Sequence, residues 1–307
     1  MPRSFCEITK IIFYYKSGCV IILVIKYRKG MVKNMLYKKV LLDKNDENVY
    51  LEVYAADALY GFTRNAILVI PGGGYCCVCS DREGEPIAMA FMPYGYNAFV
   101  LHYSVSDNSD KIFPTQLIQA SMAMKHIKDH AEEYNIDPKK VFVTGFSAGG
   151  HLTASLGVMW NKKEIYEALD MPYGYNKPAG IMPIYPVISS DPAFGHMGSF
   201  YNLLGSMEPS QEMLDAASIE KHVTPEASPA YIVHTSNDEV VNVKNSLALA
   251  NAYAEAGLTF ELHIYPQGPH GMALGNHITE IGNPQLVDEC FAGWVGNAVK
   301  WAEKFGV

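Results

Sequence analysis

The chain has few charged side chains and no concentrated block of positive charge. Charged residues make up 18% of the 307 residues, and the formal net charge is −8; an average soluble protein has ~25% charged residues. Beyond residue 40, Lys and Arg are scattered, which argues against a nucleic-acid partner because phosphate contacts need clustered cations. With 49% apolar residues, the chain is not a disordered one. We expect a neutral or cationic small molecule as substrate.

The cysteines lie too close together in the sequence to form a disulfide framework. Three of the six cysteines fall within positions 76–79, and no spacing matches a paired C-x-x-C zinc site. We therefore predict free thiols, a cytoplasmic location and no metal. The six positions are Cys6, Cys19, Cys76, Cys77, Cys79 and Cys290.

No hydrophobic run is long enough to cross a membrane. Residues 11–15 and 19–25 are strongly apolar, but Lys16 separates them, and a spanning helix needs ~20 apolar residues. A secretory signal also fits poorly, because no small-x-small cleavage site follows before Met31. We expect no membrane partner. We interpret residues 1–35 as an upstream extension whose place in the native protein is open, and 36–307 as one domain.

From Leu36 onward, short apolar runs alternate with longer amphipathic stretches, the pattern of βα units. This predicts an α/β fold with a mostly parallel central sheet flanked by helices. Residues 186–227 are rich in Ser, Pro, Met and aromatics and exceed a normal connection, so they predict a small cap insertion. The predicted strands are 49–54, 66–70, 97–102, 141–144, 181–185, 230–234 and 258–265. The predicted helices are 115–134, the segment from the turn at 145–150 through 160, 243–256 and 287–305.

A G-x-S-x-G pentapeptide lies between a predicted strand and a predicted helix. It reads Gly145-Phe146-Ser147-Ala148-Gly149. A sharp strand-to-helix turn tolerates only small neighbours and lifts the serine hydroxyl clear of the sheet, at the positive end of the helix dipole. The alternative is an ordinary glycine-rich turn. We predict that Ser147 is a nucleophile.

A serine nucleophile needs a base, and the base needs an orienting carboxylate. In this type of fold the chain order is Ser, Asp or Glu, then His. Asp238 follows the predicted strand 230–234, and His270 follows the last strand within a glycine-flanked loop, so these two are our candidates. The rival acids are Glu239 and Asp191. The other histidines weighed are His277, seven residues later, His151 inside a helix, and His234 and His263 within strands.

The oxyanion of an acyl-transfer intermediate needs backbone N–H donors. Pro71-Gly72-Gly73-Gly74-Tyr75 follows a predicted strand, and glycines let the backbone approach a substrate carbonyl. We predict donors at Gly73, Gly74 and Ala148. Neither the G-x-G-x-x-G nor the G-x-x-x-x-G-K-[ST] spacing is present, so no nucleotide cofactor is implied. The loop cysteines at 76, 77 and 79 are interpreted as small residues filling a tight turn, with redox sensitivity as the alternative.

Four motifs in this order resemble the α/β-hydrolase esterases, in particular the bacterial acetyl-xylan-esterase-like and hormone-sensitive-lipase-like carboxylesterases. They are Pro71-Gly72-Gly73-Gly74-Tyr75, Asp137-Pro138-Lys139-Lys140-Val141 through Gly150-His151-Leu152, Asp238-Glu239-Val240-Val241, and Pro269-His270-Gly271. The resemblance spans residues 36–307. Pro71 stands where the lipase-like members usually have His, which favours the acetyl-esterase and sugar-hydrolase branch. Asn242 replaces a proline that often follows the acid motif, which weakens the assignment of Asp238 slightly.

The resemblance implies a serine carboxylesterase that hydrolyses short-chain, mainly acetyl, esters through an acyl-enzyme without a cofactor. Acetylated xylo-oligosaccharides are the substrate class it suggests, with Tyr75 as a substrate contact. A serine peptidase or acylaminoacyl hydrolase, a lipase, and a non-catalytic hydrolase-fold binding protein remain alternatives, and a homo-oligomer stays open. Five aromatics are candidates for stacking on sugar rings or for a small cap core: Tyr173, Tyr175, Phe194, Phe200 and Tyr201.

Overall fold

The computed structural model describes residues 35–57 and 62–305, so the predicted extension lies outside the described residues except for Met35. An eight-stranded sheet forms the centre, in the order β1-β2-β4-β3-β5-β6-β7-β8. β1 and β2 run antiparallel to their neighbours, and the other pairings are parallel. The strands are β1 (Met35–Asp43), β2 (Asp46–Ala56), β3 (Arg64–Ile70), β4 (Tyr96–His102), β5 (Ile136–Phe146), β6 (Ile181–Ile184), β7 (Ala230–Thr235) and β8 (Phe260–Tyr265).

Helices cover both faces of the sheet. They are α1 (Ser80–Glu83), α2 (Glu85–Phe91), α3 (Thr115–Asp129), α4 (Ala148–Met159), α5 (Lys163–Ala168), α6 (Met197–Leu204), α7 (Gln211–Ala217), α8 (Lys244–Glu255), α9 (Glu289–Ala292) and α10 (Trp294–Ala302). The predicted helix 287–305 is helical from Glu289 onward, but Gly293 divides it into α9 and α10, and its last three residues form a 3-10 helix. The Asp288 carboxylate accepts a hydrogen bond from the Phe291 N–H at 2.7 Å and starts the short α9.

The central strands are buried on both sides, which explains their lack of charge. In β3, Leu68 packs into the core shared with α3, α4 and α8, while Ile67 and Val69 pack into the core shared with α2 and α10. Strands covered on both faces read as continuous apolar runs. The predicted α/β architecture is confirmed, and the low charge content follows from it.

Outside the cap segment, one strand and three α-helices were not foreseen: β1, α1, α2 and α5. β1 is an edge strand of exposed and half-buried residues, so it lacks the apolar run that marks the central strands. α1 and α2 lie between the glycine loop and β4, and α5 lies between α4 and β6. The predicted cap segment holds α6, α7 and a 3-10 helix, Ile219–His222, between β6 and β7. None of the helices in the described ranges is long and apolar enough to cross a bilayer.

Candidate active site

Ser147 occupies a strained turn between β5 and α4. Its φ is 54° and its ψ is −117°, a conformation that costs a non-glycine residue on the order of 1–3 kcal/mol. A Cβ on Gly145 would lie 2.3 Å from the Gly149 carbonyl oxygen, and one on Gly149 would lie 2.1 Å from the Ile70 carbonyl oxygen. Only glycine fits either position, so the sequence around Ser147 is dictated by the turn.

His270 connects the serine to the carboxylate of Asp238. Its Nε2 lies 2.8 Å from Ser147 Oγ, and its Nδ1 lies 2.7 Å from Asp238 Oδ2. A carboxylate only accepts hydrogen bonds, so Nδ1 carries the proton and Nε2 is left able to accept one from the serine. The three side chains come from the carboxyl ends of β5, β7 and β8, the edge where open α/β sheets bind ligands.

Asp238 is buried and fully hydrogen-bonded. Its Oδ1 accepts from the Val240 and Val241 N–H groups, each at 2.9 Å. Its Oδ2 faces His270 and also lies 3.4 Å from His234 Nε2. Burial favours the neutral acid, but the hydrogen bonds from the two histidines and the backbone outweigh it and hold the pKa of Asp238 well below its ordinary value. The carboxylate therefore stays ionised at neutral pH.

The rival acids lie elsewhere. Glu239 is exposed on the wall of a neighbouring cavity, and Asp191 is exposed and accepts a hydrogen bond from the Ala193 N–H at 2.8 Å.

Among the other histidines, His277 is exposed and pairs with Glu280, and His263 pairs with Glu261. His151 is buried, and its Nε2 donates to the Ala217 carbonyl at 2.7 Å. Burial lowers the pKa of His151 to about 4, so its ring is neutral. Of the histidines first weighed as structural, only His234 contacts the Asp238 carboxylate.

The glycine loop after β3 presents backbone donors beside Ser147. Gly73 and Gly74 have φ values of 124° and 63°, and a Cβ on Gly73 would lie 2.2 Å from the Cys77 carbonyl oxygen. Within the described ranges, the N–H groups of Gly73, Gly74 and Ala148 have no hydrogen-bond acceptor in the protein. These are the three donors that the sequence singled out.

Tyr75 does not lie where a substrate contact would lie. Its ring is 1% exposed, and its hydroxyl is 2.7 Å from His151 Nδ1. Because His151 Nε2 donates to a carbonyl, Nδ1 accepts and the tyrosine hydroxyl donates. The side chain thus supports the glycine loop from the interior, and the expectation of a direct substrate contact by this ring is not met.

The loop cysteines beside the glycines are free thiols. Cys76 and Cys79 are half-buried and Cys77 is exposed. The Cys76 thiol donates to Asp107 Oδ1 at 3.1 Å. In the part of the chain that the structure describes, no cluster of three or more His, Cys, Asp or Glu side chains could hold a metal.

The cap segment brings a histidine that the sequence analysis missed. His196 precedes α6, and its Nδ1 is 2.9 Å from Ser199 Oγ. Burial lowers the pKa of His196, and the charge of His270 lowers it further. Farther along α6, Asn202 Nδ2 donates to the Gly74 carbonyl at 2.9 Å. No local motif marks His196 or Asn202. The contact between Asn202 and the glycine loop depends on how the cap folds back.

The aromatic residues considered for sugar stacking are placed differently from one another. Phe200 is buried in the core and contacts His151. Tyr173 is exposed and packs against Trp160 and Tyr166. Phe194 lines a separate cavity, and Tyr175 binds Asp129.

A polar cavity of about 620 Å³ adjoins His270. Its walls come from the loops after β7 and β8 and from the segment before α9. They contain amides and carboxylates and neither Lys nor Arg, so an anion is unfavourable there. The polar side chains are Asn237, Glu239, Gln267, His270, Gln285 and Asp288.

The sheet order, the strained serine turn and the Ser147–His270–Asp238 contacts define a protein of the α/β-hydrolase fold. The BD-FAE family model matches residues 51–253. A solved acetyl ester-xyloside bifunctional hydrolase from Caldicellulosiruptor lactoaceticus superimposes with a TM-score of 0.73 and 31% sequence identity, covering 91% of this chain and 99% of that one. The chain belongs to the BD-FAE family.

Two curated relatives match along part of their length. Endo-1,4-beta-xylanase B from Butyrivibrio fibrisolvens is 38% identical over 267 residues, which are 81% of this chain and 39% of the relative. Acetylxylan esterase from Xylanibacter ruminicola is 31% identical over 216 residues, which are 68% of this chain and 41% of the relative. The chain thus spans about two fifths of the length of either protein.

Proposed function

We propose that the chain is a serine carboxylesterase that removes acetyl groups from acetylated xylo-oligosaccharides or similar neutral carbohydrates. The observation that carries the proposal is the contact chain from Ser147 Oγ through His270 to an ionised Asp238, at 2.8 and 2.7 Å. Backbone N–H groups that have no acceptor among the described residues lie beside that serine. Such an arrangement performs acyl transfer from an ester to water.

In the first half of the reaction, Ser147 Oγ attacks the acetyl carbonyl carbon as its proton passes to His270 Nε2. The negative oxygen of the tetrahedral intermediate accepts hydrogen bonds from the N–H groups of Gly73, Gly74 and Ala148. The carbon–oxygen bond to the sugar then breaks, and His270 gives its proton to the departing alcohol. Asp238 stabilises the positive imidazolium throughout.

In the second half, water attacks the acetyl-Ser147 ester. His270 takes one proton from that water, the oxyanion forms in the same place, and the proton is returned to Ser147 Oγ. Acetate leaves and the serine is restored. Each step uses groups whose positions in the free protein already suit it.

Two observations support a carbohydrate alcohol. The relatives include an acetylxylan esterase and an acetyl ester-xyloside hydrolase. The cavity that His270 borders offers amides and carboxylates, the side chains that hydrogen-bond sugar hydroxyls. A lipase would instead need a broad apolar surface at this place.

The test is acetate release from 4-nitrophenyl acetate and from acetylated xylo-oligosaccharides by the wild-type chain and by Ser147→Ala. Ser155→Ala is the matched control, because Ser155 lies in the same helix and its hydroxyl donates only to the His151 carbonyl. We expect Ser147→Ala to lose both activities and the control to keep them. Full turnover by Ser147→Ala would refute the proposal.

The cytoplasmic location and the oligomeric state remain proposals. The four cysteines in the described ranges are free thiols, which supports a reducing compartment. Cell fractionation tests the location, and light scattering of the purified chain tests whether it forms a homo-oligomer.

A further inference from the structure

Glu83 is a buried carboxylate that the reaction scheme above does not use. Glu83 is 2% exposed to solvent. Its Oε2 accepts from the Gly72 N–H at 2.8 Å, and its Oε1 accepts from the Tyr185 hydroxyl at 2.9 Å. Burying a carboxylate is costly unless each oxygen is well satisfied. Both oxygens of Glu83 accept hydrogen bonds from segments that form the candidate site.

Tyr185 connects Glu83 to the loop after β8 that bears His270. It follows β6 with a φ of 37°, in the left-handed region that side chains rarely adopt. Its hydroxyl accepts a hydrogen bond from the Ala273 N–H at 2.9 Å. Its ring meets the His270 ring edge-on, with centroids 5.0 Å apart. One oxygen therefore joins the Glu83 carboxylate to the loop that bears His270.

The same carboxylate also borders the nucleophile. A Cβ on Gly72 would lie 2.8 Å from Glu83 Oε2 and 3.0 Å from Ser147 Cβ, so Gly72 is held between the two. Its N–H is turned to Glu83, which leaves the following two N–H groups of the loop for an oxyanion.

Arg82 balances the buried negative charge. Its guanidinium lies 3.8 Å from Glu83 Oε1. A Cβ on Gly271, the residue after His270, would lie 2.9 Å from that guanidinium. The ion pair thus packs against the loop that bears His270, and neither of its members is an isolated charge in the site.

We propose that Glu83, acting through Tyr185, is a positioning residue that sets the oxyanion loop and the His270 loop relative to Ser147. The inference rests on the proposed esterase function. Because these contacts matter most when the oxyanion and the imidazolium form, losing them lowers kcat and leaves KM nearly unchanged.

The experiment compares Glu83→Gln, Tyr185→Phe and the double variant in hydrolysis of 4-nitrophenyl acetate. A glutamine keeps the shape but accepts at one oxygen only, and phenylalanine removes the bridging hydroxyl. We expect kcat to fall about tenfold in each single variant, with KM within about twofold, since one lost hydrogen bond of this kind accounts for roughly that factor. The double variant should lose less than the product of the two single losses, because both act through one bridge. Affinity for phenylboronic acid, which forms a tetrahedral serine adduct, should weaken in parallel with kcat.

Two matched controls separate positioning from general destabilisation. Glu220→Gln changes a half-buried carboxylate that accepts from Ser189, away from the glycine loop. Tyr231→Phe removes a buried hydroxyl that has no hydrogen-bond partner among the described residues. We expect both controls to keep the wild-type kcat.

Three outcomes overturn the inference: an unchanged kcat in folded Glu83→Gln and Tyr185→Phe, an equal loss in the controls, or a loss confined to KM. If Glu83→Gln does not fold, Tyr185→Phe decides alone, since it removes a single oxygen. Inactivity of the wild-type chain, or activity of Ser147→Ala, would refute the proposed function and with it the positioning role that rests on it. The three outcomes above, obtained with an active wild-type chain, overturn the positioning role alone.

Discussion

Replacing Asp238 with Asn is expected to reduce kcat by about 10⁴-fold while leaving the fold intact, a loss comparable to that known for a serine–histidine–aspartate site. The structure supplies the reason. Two backbone N–H groups point at Oδ1, each at 2.9 Å, so the asparagine oxygen is held there and its NH₂ group faces His270 Nδ1. That nitrogen must then accept, and the ring proton moves to Nε2. His270 can no longer take the proton of Ser147.

The factor corresponds to ~5 kcal/mol of transition-state stabilisation. The assay is steady-state hydrolysis of 4-nitrophenyl acetate by Asp238→Asn, with circular dichroism to establish folding. Asp191→Asn is the matched control, because this exposed carboxylate was a rival in the sequence and lies outside the contact chain. A kcat for Asp238→Asn within tenfold of wild type, or an equal loss in Asp191→Asn, would refute the reasoning.

Three further predictions follow from the geometry. The acid limb of the kcat/KM profile should show no proton uptake by Asp238, because the lowered pKa of Asp238 keeps that carboxylate ionised; a two-proton slope in the pH profile would contradict this. Stability should fall as pH drops from about 6.5 towards 4, because buried His151 has its pKa lowered to about 4 while the unfolded ring takes a proton near 6.5. Urea unfolding at pH 4.5 should show a loss of about 2–3 kcal/mol from this group, which His151→Gln should remove; an unchanged pH dependence in that variant would contradict the assignment. Gln285→Ala should raise KM for acetylated xylo-oligosaccharides several-fold and leave 4-nitrophenyl acetate kinetics unchanged. A variant whose KM for the oligosaccharides equals that of the wild type would argue against a sugar in the cavity.

Local patterns in the sequence were enough for the parts of the site that depend on local backbone geometry. The place of Ser147 in a tight turn could be predicted because a strand, a turn that admits only glycine on either side of the serine, and a helix are consecutive in the chain. The glycine loop could be predicted for the same reason. His270 and Asp238 needed only the additional rule that ligands gather at the carboxyl ends of parallel strands.

The residues that were missed depend on contacts between distant segments. Glu83 sits in a short helix without a motif, and its importance arises where it meets Gly72 and Tyr185. Asn202 reaches the Gly74 carbonyl only because the cap folds back onto the glycine loop. Tyr75 adjoins the glycine loop in the sequence, but the direction of its side chain into the core depends on His151. Periodicity carries no information about such pairings.

The most direct test of the central claim is to trap the acyl-enzyme. Rapid acid quenching of the chain during turnover of 4-nitrophenyl acetate, followed by peptide mass spectrometry, should show an acetyl group on the peptide that contains Ser147. The Ser147→Ala variant should show none and should not turn over. Hydrolysis without acetylation at Ser147, or acetylation at another residue that keeps pace with turnover, would contradict the account.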